Sequence, residues 1–579
     1  MAATDRSRNH RPPRGRGRPP ALLAGAVATA WILAAGAAPA SAAPMRTAAP
    51  ATSSPTLAAT FAAIDQDVRT RMNDTHLPGA SLAIVKGDQL VHVAAFGDAD
   101  DAGRTVTART PFYIGSNSKS FTALAVMQLV EAGRVSLDAP VQRYLPWFRV
   151  ADPVASAQIT IRQLLNQTSG LPDWENYFWK TDSSPTALLD AVHSMSSMRP
   201  VHPVGTTFEY SSANFTILGL VVQIVAHDSY EHFVQTHILA PLNMTNTFLD
   251  VPTARAHGLA TEHRYWFDRP FAGGGMPFNR AVTPAGLIIS DATDMAHYLI
   301  AQLNGGRYDS TRILSAAGTA ELHRGAAAIG GMDSYAMGWV SSIGIDGDRF
   351  AWHGGDTGGS HAYMSILPAT GWGIVLLTNG SNDLRPNGQD AIAQGVLARL
   401  LGHQPAPPAG LLEQPYTIPL AVLLAGGLLQ LAGVLRSVTL WRRWLRRPEQ
   451  RPGGRFDLSA RVAAPLLLNL AWAALCLLGV PALAGQPPRA LVQPLSDLGM
   501  TALALGGLAL IWGTVLRPLA TAAVLLRTRP QASRVADQPG TGETSTGVNA
   551  DGMKAVGSPA SSGLQLAAAD HGLHRRDAL

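Results

Sequence analysis

The sequence predicts an α+β domain followed by a membrane region of three transmembrane helices. Two observations carry this reading. Strand-like segments lie near both ends of residues 56–402, while the stretch between them reads mostly as helix. Beyond a proline-rich linker come three apolar stretches, each near the roughly 20 residues needed to cross a bilayer.

The elements follow in order. Residues 1–42 read as a signal peptide: arginines 6, 8, 11, 14, 16 and 18 form a basic leader, Ala21–Ala38 is apolar, and Ala40-Ser41-Ala42 is a small-residue cleavage site. An uncleaved anchor is the alternative. Residues 43–55 form an Ala/Pro/Thr-rich linker. Leu57, Phe61, Ile64 and Val68 recur at helical spacing within Thr56–Met72. Ala80–Val85 and Leu90–Phe96 read as paired strands around a Lys86-Gly87-Asp88 turn. His361–Leu367 and Trp372–Leu377 read as two more strands, and Ala391–Leu401 as a closing helix. Residues 403–417 form the linker to the membrane region, 418–526. Its spans are about Ile418–Leu440, Val462–Ala484 and Leu498–Leu516, the last able to continue past Arg517 and Pro518. Arginines 442, 443, 446, 447, 451 and 455 crowd the first loop, while the second holds only Arg489. The positive-inside rule then makes the first loop and the tail cytoplasmic and the N-terminal domain exported. Residues 527–579, rich in Gly, Ser, Thr, Ala and Asp, read as a disordered cytoplasmic tail.

Charge excludes one class of function. Ala43–Gly410 carries 23 Lys plus Arg against 30 Asp plus Glu, a net of −7, although the whole chain is +5. The excess of basic residues lies outside the folded domain, so nucleic acid is not an expected partner. The single cysteine, Cys476, excludes an internal disulfide and reads as a small buried hydrophobe. No compact His/Asp/Glu set has the spacing of a catalytic zinc site, and neither metal nor cofactor is expected.

Ser116-Asn117-Ser118-Lys119 carries the chemistry. On a helix, residues i and i+3 share a face, so Lys119 lies beside the Ser116 hydroxyl. The helix N-terminus adds an electropositive seat. A serine needs a neighbouring base to become a nucleophile. Lysine is rare here, with only Lys86, Lys119, Lys180 and Lys554, while arginine is abundant. Retaining an amine at 119 suits a group that must lose its proton, which arginine cannot do.

Further along come Tyr210-Ser211-Ser212-Ala213-Asn214 and Trp352-His353-Gly354-Gly355-Asp356, with Gln163–Pro172 and Gly373–Asn379 as supporting segments. In this order they resemble the serine β-lactamase and penicillin-binding protein family, in its class C-like branch, over residues 56–402. The resemblance implies a β-lactamase/transpeptidase-like sheet sandwiched by helices, plus an all-helical region. It implies Ser116 as nucleophile, with Lys119 and Tyr210 sharing its proton. It implies an oxyanion hole from the N–H groups of Ser116 and Asp356, with Gly355 letting substrate lie close. Two positions depart from the pattern. Ser212 stands where asparagine is usual, which leaves its contact with substrate open. His353 stands where related enzymes have lysine, so a fixed charge becomes a titratable one. A nearby Lys119 ammonium is expected to lower the Tyr210 pKa.

The reading is an exported, membrane-anchored serine hydrolase acting through an acyl-enzyme on amides or esters of peptides containing D-residues. A β-lactamase or esterase, or a penicillin-binding sensor that stays acylated, are the alternatives. The partners expected are a small-molecule or peptide substrate outside the cytoplasm and the lipid bilayer. The domain order also resembles prodrug-activating peptidases that remove an acyl-D-asparagine cap. Two other features are open. Trp174, Tyr177, Phe178 and Trp179 form either an aromatic lip or core packing under a loop. His263 and Arg264 read more readily as surface residues than as cleft residues.

Overall fold

The computed structural model describes residues 56–526 apart from 175–176, 178–179, 267, 274–276, 345, 383–387, 408–409, 411–416, 451–454 and 481–496. The expected signal peptide, first linker and tail lie outside the described residues, as do Phe178 and Trp179.

The first helix, α1 (Leu57–Thr75), starts where the Thr56 hydroxyl accepts the Ala59 N–H and stops at His76, whose φ of 52° is left-handed. Two strands follow, β1 (Gly79–Lys86) and β2 (Gln89–Gly97). Three helices matter in the middle: α2 (Ser118–Glu131), α3 (Ser212–Ala226) and α4 (Ala292–Leu303). The chain then returns to strands: β3 (Ala327–Gly330), β4 (Asp333–Tyr335), β5 (Val340–Ile343), β6 (Arg349–Asp356), β7 (His361–Leu367) and β8 (Trp372–Thr378). Helix α5 (Gly388–Leu400) closes the domain.

These eight strands form one sheet in the order β2-β1-β8-β7-β6-β5-β4-β3. Its centre joins the chain's two ends: β1 pairs antiparallel with β8, Ala80 opposite Thr378 and Lys86 opposite Trp372. Alternation in β1 explains the layers. Leu82 and Ile84 face one side with Ile374 and Leu376, against Ile64, Val68 and Met72 of α1 and Ile392 and Val396 of α5. Ala83 and Val85 face the other side with Val375 and Leu377, in the large core shared with α2, α3 and α4. Both faces of β1, β7 and β8 are covered, which is why every residue of these strands except Lys86 is buried and most are apolar.

Beyond this domain, three helices are long and apolar enough to cross a membrane: Thr417–Arg446, Arg461–Gly479 and Gly499–Leu526. The third does continue past Arg517 and Pro518. Leu428, Leu429, Leu467 and Leu468 point outward, exposed. Glycines lie within: a methyl group on Gly427 would meet Leu505 at 2.8 Å, so the helices approach as small residues in a bilayer permit. Arg517 is satisfied inside the bundle by the Ser437 hydroxyl and the Arg461 carbonyl, both at 3.1 Å.

One sheet strand sits directly on the nucleophile turn. A Cβ on Gly355 of β6 would collide with the Ile114 carbonyl and lie 2.8 Å from the Ser116 nitrogen. Backbone cannot move aside as a side-chain tip does. Gly355→Ala is therefore expected to lower stability by about 1–3 kcal/mol. It should also abolish labelling of Ser116 by an acylating probe, as checked by thermal denaturation and probe mass spectrometry.

Candidate active site

Ser116 lies in a single 3-10 turn, Gly115–Asn117, which runs straight into α2. In a 3-10 turn residues i and i+3 eclipse. That brings the Lys119 Nζ to 3.0 Å from the Ser116 Oγ. The turn is pinned from both sides. The Ile114 N–H donates to the Ile288 carbonyl at 3.0 Å, and the Ser118 hydroxyl accepts the Ile288 N–H at 3.1 Å and donates to the Gly115 carbonyl at 2.7 Å. Gly115 has a φ of 52°, and a side chain there would strike the backbone of Gly355 and Asp356. Only glycine fits both demands.

Lys119 is fully buried, the only lysine so placed among the described residues. Its Nζ donates to the Ala285 carbonyl at 2.7 Å and stands 4.9 Å from the centre of the Tyr210 ring. Gly338, with a φ of 75°, lies so close to the Lys119 carbonyl that a Cβ would be 2.8 Å away. Burial pushes the ammonium pKa down to about 7, against a smaller opposing pull from the Asp173 carboxylate.

The Tyr210 phenol lies beside Ser116, whose hydroxyl acts to lower its pKa, so the three residues meet as the motifs require. The direction of the tyrosine's pKa is the reverse of expectation. Burial raises it, outweighing the pull of the Ser116 hydroxyl, because both groups share a dry site and the lysine itself loses its charge there. A device absent from the sequence reading holds Tyr210 in place. Gln167 adopts a left-handed φ of 58°. Its carbonyl accepts the Glu209 N–H at 2.8 Å and its Oε1 accepts the Ser211 N–H at 3.0 Å, gripping the residues on either side of Tyr210. Asn214 donates to the same Oε1, and its own Oδ1 accepts the Ser169 hydroxyl at 2.7 Å. Gln167–Gly170 and Asn214 were visible as motif letters, but the grip depends on a backbone conformation that letters do not carry.

His353 faces the site from β6, 6.5 Å ring to ring from Tyr210. Burial and the Lys119 charge push its pKa down to about 3. The expected titratable charge near neutrality is therefore not there; the ring is neutral. Its Nδ1 donates to the Gly354 carbonyl at 2.5 Å, and its Nε2 accepts from Tyr335 at 3.3 Å. Strand β5 pairs with β6 only as far as Trp352, so the edge from His353 to Asp356 has no partner on that side among the described strands. That edge borders the Ser116 turn.

Asp356 ends this edge. Its carboxylate accepts the Gly358 N–H at 2.5 Å and the Ser381 hydroxyl, and meets the Nδ1 of His361 at 3.4 Å. Desolvation opposes the Asp356 charge, but His361, Ser381 and Gly358 outweigh it and lower the pKa. Desolvation also opposes the His361 charge, but Asp390 at 2.8 Å and Asp356 raise its pKa to about 10.

Ser212 opens α3, buried, with its N–H donated to the Asp173 Oδ1 at 2.9 Å. Trp174 stacks on Tyr177 with ring centres 4.0 Å apart. Tyr177 is buried and Trp174 packs partly against the main core, so packing accounts for this described half of the aromatic group. His263 is buried rather than superficial. Its Nδ1 reaches the Asn379 carbonyl at 3.0 Å and its Nε2 reaches Asp101 at 2.9 Å. Among the described residues, no group of three or more His, Cys, Asp or Glu is placed to hold a metal ion.

The architecture and the Ser-Lys-Tyr arrangement together define a class, and comparison with known proteins agrees. The family model described as Beta-lactamase matches residues 64–399, and the chain belongs to that family. It is 28% identical over 328 residues to Protein flp of Staphylococcus aureus (strain NCTC 8325 / PS 47), covering 56% of this chain and 64% of that protein. It thus spans somewhat less than two thirds of that relative. It is 30% identical to Penicillin-binding protein 4 of Amycolatopsis lactamdurans, over 53% of this chain and 81% of that one. Among solved structures, the octameric penicillin-binding protein homologue from Pyrococcus abyssi aligns with a TM-score of 0.53 at 25% identity. That alignment covers 63% of this chain and 81% of the archaeal one.

The lowered lysine pKa sets a pH dependence. Lys119 can accept a proton only after losing its own. The rate of Ser116 acylation is expected to rise with pH through about 7 and then level off. His353, already neutral above pH of about 3, adds no step near neutrality. Labelling rates from pH 5 to 9 at fixed ionic strength check this. A rate that falls as pH rises through 7 would remove Lys119 from the role of base.

Proposed function

We propose that residues 56–402 are a serine hydrolase that works through an acyl-enzyme on amide or ester bonds. The observation that carries this reading is the buried, charge-depleted Lys119 amine in contact with the Ser116 hydroxyl. In its neutral form the amine has two protons and a lone pair. One N–H stays on the Ala285 carbonyl while the lone pair takes the Ser116 proton as Oγ attacks a carbonyl carbon. The N–H groups of Ser116 and Asp356 would stabilise the oxyanion. Tyr210, still a protonated phenol, would hand its proton to the leaving group and recover one from Lys119. Water would then release the acyl group by the reverse path. The neutral His353 and the open edge of β6 suit a peptide-like substrate laid beside the strand.

Among such substrates we favour peptides containing D-residues. Ser212 offers a hydroxyl and more room than an asparagine would, which suits a polar substrate group. The three apolar helices and the arginine-rich first loop support a membrane-anchored protein with this domain outside the cytoplasm.

Three experiments test these readings. A fluorophosphonate should label the wild-type Ser116 and fail to label Ser116→Ala. Screening D-amino acid amides, acyl-D-asparagine amides, a chromogenic cephalosporin and short esters should then find turnover; a permanent adduct with every substrate would favour the acylated sensor instead. For sidedness, reporters fused after Arg451 should report cytoplasm and those after Arg489 the exterior. The opposite pattern would reverse the topology.

A further inference from the structure

We propose that Asp173 selects substrates by charge, favouring a group that donates N–H bonds or carries positive charge and disfavouring carboxylates. This rests on the acyl-enzyme reading and deepens it. The Asp173 side chain is exposed, yet one oxygen is fixed: Oδ1 accepts the Ser212 N–H at 2.9 Å and the Trp174 N–H at 2.8 Å. The adjoining Pro172 carbonyl is held by the Ser211 hydroxyl at 2.8 Å, so the loop is tied to α3 on both sides of the carboxylate. Ser212 lies two residues beyond Tyr210, whose ring centre is 4.9 Å from the Lys119 amine that touches Ser116. The carboxylate is thereby anchored at the site with Oδ2 uncommitted, and among the described residues it has no cationic side chain in ion-pair range.

A second feature at the same turn points to a ligand. Ser212 is 5% exposed as a residue, and its hydroxyl makes no hydrogen bond to the protein among the described residues. That hydroxyl and the uncommitted carboxylate oxygen make a donor–acceptor pair that a ligand could occupy. Capping α3 does not require the charge, since asparagine or serine caps equally well. The charge even works against catalysis, because it pulls the Lys119 and Tyr210 pKa values upward. The neighbouring carboxylate, Glu209, has His202 at 3.2 Å, whereas Asp173 has no such partner among the described residues. A substrate ammonium or amide N–H would neutralise or occupy it. A substrate carboxylate, such as the one beside the ring of a β-lactam or at a free peptide C-terminus, would meet repulsion.

The test uses the full-length protein and two series of aryl esters. One carries trimethylammonium, tert-butyl or carboxylate on the acyl chain, the other on the aryl leaving group. Wild type should prefer cation to anion in kcat/KM in at least one series, and rising salt from about 0.05 to 0.5 M should erode the preference. Asp173→Asn keeps an acceptor for the Ser212 N–H and should cut the preference by about tenfold or more, the scale of one unit charge across several ångströms of intermediate dielectric. It should also move the midpoint of the acylation rate to lower pH. A cation-to-anion ratio that is unchanged by the substitution in both series, or flat with salt in wild type, would overturn the proposal and leave Asp173 a helix cap. Failure of every ester together with no labelling of Ser116 would instead overturn the acyl-enzyme reading and this one with it.

Discussion

The site depends on one unfavourable arrangement: an amine taken out of water beside a hydroxyl. Among the described residues, Lys119 has no carboxylate within ion-pair reach, and its hydrogen-bond partners are the Ala285 carbonyl and Ser116. Its pKa falls from 10.5 to about 7, which amounts to a cost on the order of 5 kcal/mol at pH values below 7, where both the folded and the unfolded chain hold the proton. The sign follows from linkage. Between pH 7 and 10.5 the unfolded state binds the proton and the folded state does not, so stability gained from this group rises with pH across that window. The full cost stands below pH 7. A dehydrated lysine is thus a liability to the fold and an asset to a nucleophile, and the large core around α2 and α3 is what offsets it.

That core also sets the geometry. The nucleophile turn is wedged between Ile288 and β6, with Gly115 and Gly355 removing the atoms that would hold the two apart. Because β5 stops pairing at Trp352, β6 has both a rigid partner strand, β7, and an open edge over the serine. Rigidity on one side and vacancy on the other come from one strand ending early.

Much of this was legible in the chain. Strands β1, β2, β7 and β8 and helices α1 and α5 were readable because alternation and helical spacing report burial on one or two faces. Ser116 and Lys119 were readable because three-residue spacing in a helical turn is local. Tyr210 and His353 needed the ordered motifs, since contacts across 94 and 237 residues leave no periodic trace. What stayed hidden depends on backbone or on dryness. Ala285 acts through its carbonyl, so its side chain gives no sign. Gln167 acts through a left-handed conformation. The Tyr210 shift was expected downward because a neighbouring charge was weighed, and His353 was expected to titrate because histidine ordinarily does; desolvation, which dominates both, cannot be seen without the fold.

Replacing a lysine by His353 has a consequence for the electrostatics of the whole cleft. A lysine beside Lys119 would set two ammonium groups against each other, and each would depress the other's pKa. A neutral imidazole, donating to its own strand's Gly354 carbonyl and accepting from Tyr335, removes that repulsion. It also removes a fixed positive charge from the strand that borders the nucleophile. With His353 neutral and Asp356 tied to His361, Asp173 is left without a cationic partner among the described residues. Substrate anions then have no cationic seat on the open His353–Asp356 edge of β6 to compensate for Asp173. Burial of Lys119 must therefore do alone what elsewhere a second cation would assist: keep the amine free of its proton at neutral pH while a carboxylate nearby pulls the other way.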